Sequence, residues 1–143
     1  MTENPSNPAD EIVYPEQINT DFLMALFQNA YLKVSRDDVG DIFLKENFTT
    51  WIFPQEDGLQ IRFMAQFKAN LDLPRIPKLE YANMICDRMK LLRAYVDADD
   101  DIGFDYHLLV EGGITKRNIV FALRTFINYV QVALQRDTEN VIS

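Results

Sequence analysis

Apolar positions along this chain change period several times, and each change marks an element. From about Asn19, Phe22, Leu23, Leu26, Phe27 and Ala30 recur three and four apart, the stripe of a helix that ends by Lys33. Asn19 or Thr20 can cap its first turn, and Asp21 suits the positive end of its dipole. Four strand segments follow: a short one at Lys33–Arg36, a weakly alternating one at Asp41–Lys45, and an aromatic, β-branched one at Thr49–Phe53. After the hairpin signal Glu56-Asp57-Gly58, the fourth sets Leu59, Ile61, Phe63, Ala65 and Phe67 against Gln60, Arg62, Met64, Gln66 and Lys68. That alternation is the pattern of a half-buried strand.

Pro74 and Pro77 punctuate a loop over Asn70–Pro77, and a helix is expected from Pro77 to Met89 with Leu79, Ala82, Met84, Ile85 and Met89 on its apolar side. Leu91–Asp97 reads as a strand, folded back by the acidic turn Asp97–Asp101 into Ile102–Glu111. There Ile102, Phe104, Tyr106, Leu108 and Val110 alternate. Past Gly112-Gly113 the period lengthens to that of a helix, through Ile119, Leu123, Phe126, Ile127, Val130 and Leu134 to about Arg136, with Thr115 as its N-cap. The expected domain is α+β, in the order α-β-β-β-α-β-β-α. An antiparallel sheet of about five strands would be covered on one face by the first and last helices. Residues 18–136 form this domain, between flexible tails at 1–17 and 137–143.

Composition narrows the function. In 143 residues, 48% of them hydrophobic, there is enough apolar surface for a core. A net charge of −8 argues against general nucleic-acid binding and against docking on an anionic membrane. The single cysteine, Cys86, forbids an intramolecular disulfide, and the N-terminus lacks the charge and apolar pattern of a signal peptide; a cytoplasmic protein is expected.

Candidate chemistry is sparse. Asp97, Asp99 and Asp101 match the first, third and fifth positions of a calcium loop, but Ile102 stands where glycine belongs and Leu108 where the bidentate glutamate belongs. A solvated hairpin turn accounts for them. With one histidine, His107, and one cysteine, no Cys/His zinc site can be assembled within one chain, and neither residue lies in a nucleophile motif. Gly112-Gly113 lacks the lysine and spacing of a phosphate loop; a turn requiring positive φ suffices. Arg75, Lys78, Arg88, Lys90 and Arg93 read as a solvated basic segment partnered by residues such as Glu80 and Asp87, or as a docking site for an acidic partner. Trp51, Met64, Met84 and Met89 read mostly as core. No catalytic, cofactor-binding or metal-ligating residues are assigned. The candidate interaction surface is the outward strand face and an apolar patch beside it: Met64, Leu92, Asp105, His107, Leu109 and Glu111.

The stretch DADDDIGFDYHLLVEGGITKRNIVFALRTFINYV resembles the YbjN-like family, labelled as bacterial sensory transduction regulators. EDGLQIRFMAQF resembles that family's central strand, and LEYANMICDRMKLLRAYVDAD its middle helix and next strand, though a Trp-Asn pair usual there is Ala82-Asn83 here. The likeness spans roughly residues 18–135. It implies the type III secretion chaperone fold, often dimeric, and carries no activity, cofactor or functional residue. The expected function is a non-enzymatic protein-interaction module, a chaperone-like or regulatory adaptor that binds a protein partner or self-associates as a homodimer. The alternative is a small-ligand sensor or enzyme using a pocket between sheet and helices, with Asp105, His107 and Glu111 on one strand face as its support.

Overall fold

The computed structural model describes residues 7–143. In chain order the elements are β1 (Ile12–Val13), α1 (Thr20–Asn29), β2 (Val34–Arg36), β3 (Ile42–Lys45), β4 (Thr49–Pro54) and β5 (Gln60–Phe67). These are followed by α2 (Arg75–Arg88), β6 (Arg93–Val96), β7 (Ile102–Leu109), β8 (Ile114–Thr115) and α3 (Lys116–Gln135). Strands β2 to β7 form one antiparallel sheet in the order β2-β3-β4-β5-β7-β6. The sheet has six strands rather than about five, because the short segment at Val34 pairs fully with β3, Val34 opposite Leu44 and Arg36 opposite Ile42.

Alternation decides which side chains are buried. Ile42, Leu44, Ile52, Ile61, Phe63, Ala65, Phe104 and Leu108 point to one face and are buried there. Onto this face α3 lays Ile119, Leu123, Phe126, Ile127, Val130 and Ala133, with the Phe126 ring 6.1 Å from that of Phe63. The α3 cap is the expected one: Thr115 Oγ1 accepts from the Asn118 amide at 3.1 Å. At α1 the cap is Asn19, whose Oδ1 accepts from the Phe22 amide at 2.8 Å.

Helix α2 departs from expectation. It starts at Arg75, since Pro77 falls in the first turn, where its missing N–H breaks no intrahelical bond. It buries Lys78, Tyr81, Ala82 and Ile85, whereas Leu79 is exposed. Tyr81 sets the rotation: its hydroxyl donates to the Ala133 carbonyl at 2.6 Å and its ring meets Phe104 edge-on. All three helices therefore pack on the same side of the sheet.

Both tails need correction where they are described; residues 1–6 lie outside the described residues. From Asn7 onward the N-terminal segment is a strap, with β1 paired to β8 (Ile12 opposite Thr115, Val13 opposite Ile114) and Val13 fully buried. At the other end the Asp137 carboxylate accepts from the Val141 and Ile142 amides, and Val141 is buried. One well-placed valine and one aspartate anchor stretches whose composition is otherwise that of loops.

Candidate functional site

The second face of the sheet has no helix on it among the described residues. Its residues follow from the register: Phe43, Trp51, Met64, Asp105 and Arg93 are successive cross-strand partners on β3, β4, β5, β7 and β6, and Phe53, Arg62 and His107 form the next row. At the β3–β4 end this makes an aromatic platform. The Phe43 and Trp51 rings are 5.4 Å apart, and Trp51 stacks on Phe53 with 8° between planes. Phe43, Trp51, Phe53 and Met64 are half-buried by one another and do not pack against the core beneath.

The other end is polar. Asp105 has no exposure, yet its carboxylate is fully engaged: Arg62 Nε and Nη2 donate to Oδ2 at 3.1 and 2.9 Å, and Arg93 Nε donates to Oδ1 at 2.7 Å. Arg93 Nη2 adds a bond of 2.5 Å to Oδ2. Burial alone would raise the Asp105 pKa, but the hydrogen bonds and charges of Arg93 and Arg62 outweigh it and hold the group below the usual carboxylate range. The same contact raises Arg93, against a lesser opposing effect of desolvation. Tyr95 completes the cluster: its hydroxyl accepts from Arg62 Nη2 at 3.1 Å, its ring lies 5.0 Å from the Arg93 guanidinium, and it covers Gly103, its cross-strand partner.

The residues expected to form an interaction surface are only partly brought together. Met64, Asp105, His107 and Leu109 do share this face, and Leu109 is exposed. Leu92 does not: preceding Arg93 by one residue, it turns into the core and is 6% exposed. Asp105 is a buried ion-pair centre rather than a surface charge. Glu111 lies in the turn beyond β7, off the strand face. His107 contacts the Gln60 amide oxygen through Nδ1 at 3.2 Å, and its Nε2 is 3.6 Å from Asp105 Oδ2. Cys86 Sγ is occupied with the Ala94 backbone.

The basic segment and the acidic turn also resolve differently. Arg75 bonds the Asp97 carbonyl and pairs with Asp100, Lys78 is buried, and Arg93 belongs to Asp105; Glu80 and Asp87 partner none of them. In the turn, Asp97 Oδ1 accepts from the Asp99 and Asp101 amides, while Asp101 accepts from the Ala69 amide and pairs with Lys68. These carboxylates close the turn and fasten it to its neighbours.

An apolar groove of about 490 Å³ lies between α1 and α3, lined in part by Phe22, Leu26, Val120 and Phe121, and a smaller cavity of about 220 Å³ lies between sheet and helix, lined by Tyr106 and Leu108 of β7 and by Asn118, Thr125 and Phe126 of α3. Lys116 and Arg117 on the rim of the α1–α3 groove are paired to Glu11 and Asp10 of the strap. Phe43, Trp51, Phe53 and Tyr95 join the second face of the sheet beyond Arg62 and Met64, which the alternation of β5 already places there. Their signal was parity: once Phe63 is assigned to the core, antiparallel pairing puts Arg62 and Met64, and through them Phe53 and Trp51, on the opposite face.

A family model described as "Putative bacterial sensory transduction regulator" matches residues 19–133. No curated protein sequence matches the chain. Among solved structures, the crystal structure of YbjN from E. coli superposes with a TM-score of 0.78 at 16% identity, over 93% of this chain and 99% of that one. The Yersinia pestis type III secretion chaperone SycH, solved with a fragment of YscM2, gives 0.52 at 11% identity over 81% of this chain and 97% of that one. A chain of the HopA1–SchA chaperone–effector complex gives 0.55 at 9% identity over 78% of this chain and 88% of that one. At these identities the likeness is one of fold: an antiparallel α+β domain of the type III secretion chaperone kind.

Proposed function

The chain belongs to the YbjN family, and we propose that it is a non-enzymatic protein-interaction module, a chaperone-like or regulatory adaptor that receives a segment of a protein partner on its open sheet face. One observation carries this reading: four large apolar side chains, Phe43, Trp51, Phe53 and Met64, are held side by side on strands with no core above them. Clustered apolar surface rimmed by polar groups marks interaction sites. SycH and the matching chain of the HopA1–SchA complex supply support by analogy, since each was solved together with a protein partner. A binding role over a catalytic one is supported by how the polar groups on the face are spent: Asp105 is saturated by two arginines, and His107 rests against Gln60. A cytoplasmic setting, where the exposed thiol of Cys86 stays reduced, completes the reading.

The test is affinity capture from the native extract with the wild type and with a Trp51→Ser/Phe53→Ser variant of unchanged melting temperature. Proteins retained by the first and lost by the second are expected; identical captures would sink the reading. Homodimerisation is a second proposal with its own observation: Ile76 and Leu79 are exposed one turn apart on α2, and Leu71 is exposed in the loop before it. Light scattering at high micromolar concentration should report a dimer that Leu79→Glu dissolves. A strict monomer would remove it.

A further inference from the structure

We propose that the occupant of the open face is an acidic amphipathic helix of a partner protein, lying across the strands rather than along them. This rests on the binding role proposed above and adds the chemistry of what binds. Charge is the first argument. Among the strand residues pointing to this face, Lys45, Arg62 and Arg93 are cationic and Asp105 is the only anion. In a chain of net charge −8 the strands of this face carry a local excess of positive charge, even with Asp97, just past β6, held against the face by Gln66. Asp105 cannot neutralise both its arginines, and the Arg93 side chain is 62% exposed, so donors remain for an incoming carboxylate.

Dimensions are the second argument. The row Phe43, Trp51, Met64, Asp105, Arg93 crosses five strands, and four inter-strand steps span about 19 Å. A helix covers that length in about 13 residues. Its apolar side chains would sit over Phe43, Trp51 and Met64 at one end, and its carboxylates over Arg62 and Arg93 at the other. A second copy meeting this face through its own would oppose two faces of the same net positive sign and would bring no carboxylate to the donors left on Arg93.

The chain's single tryptophan, Trp51, is the reporter. Two tryptophan-free synthetic helices of about 13 residues share one apolar face and differ at one end, which carries glutamates in the first and lysines in the second. The acidic peptide should change Trp51 emission saturably and bind at least about tenfold tighter than the basic one, with the gap closing in high salt. Arg93→Glu, checked for unchanged circular dichroism, should narrow or invert the preference. Equal binding of both peptides overturns the acidic assignment while leaving the face a binding surface. No binding of either, together with concentration-dependent protection of Trp51 from acrylamide, overturns the proposal in favour of a second copy. No binding with Trp51 freely quenched overturns it outright, whatever the capture experiment shows.

Discussion

Asp105 is buried without solvent exposure and nevertheless ionised, because Arg62 and Arg93 supply four hydrogen bonds to its two oxygens. Its folded-state pKa lies below the unfolded value of about 3.9, so its contribution is fully present above that pH and is lost as pH falls through the folded pKa. Asp105→Asn should cost about 1.5–3 kcal/mol at pH 7, the range for hydrogen bonds to a charged group, since both arginines retain access to water. It should also flatten the loss of stability below about pH 4. Urea unfolding of both proteins at pH 7 and pH 3 checks this, and parallel acid losses would place the acid sensitivity elsewhere. Phe126 is the apolar counterpart. It is 2% exposed and packs on Phe63, so Phe126→Ala should cost about 3–5 kcal/mol in the same assay.

At the scale of elements, the N-terminal strap depends on glycine turns placed far along the chain. At Gly58, with φ of +70°, an added Cβ would overlap the Pro15 carbonyl; at Gly112, with φ of +87°, it would meet nothing within 4 Å. Both substitutions to alanine incur left-handed backbone strain of about 1–3 kcal/mol. Only Gly58→Ala should also lift the strap, seen as faster proteolysis within residues 7–17. Equal cleavage of the two variants would mean that the strap yields to a methyl group. The same scale explains the α2 discrepancy. Its apolar residues are too few to fix a face by periodicity, so the Tyr81 hydrogen bond to Ala133 decides its rotation.

Over the whole molecule the two sheet faces have opposite roles. One carries three helices and the core; the other carries an aromatic platform beside an ion-pair cluster. Trp51→Ser/Phe53→Ser should therefore change folding stability by about 1 kcal/mol or less, the scale of cross-strand pairs on a wet face. That is several times below the expected loss at Phe126, although all three rings are large. A loss comparable to Phe126→Ala would mean that the platform serves folding rather than binding. One-sided layering also accounts for the ion pairs: with no helix above them among the described residues, Arg62 and Arg93 reach water while Asp105 beneath them does not.

The sequence alone carries what depends on strong local period and turn chemistry. The alternation of β5 and β7, the 3.6-residue stripe and threonine cap of α3, and the positive φ at Gly112 and Gly113 were all legible there. Each is set by neighbours within a few residues. Tertiary structure decided what depends on pairing distant segments. Leu92 moved into the core because β6 pairs with β7 in one register; Asp105 became a buried anion because that register brings Arg93 beside it and β5 brings Arg62. Trp51 left the core because the parity of β4 is fixed across strands, through β5, and not by its own composition. Side-chain alternation is a property of one strand, but which side becomes the interior is a property of the assembled sheet.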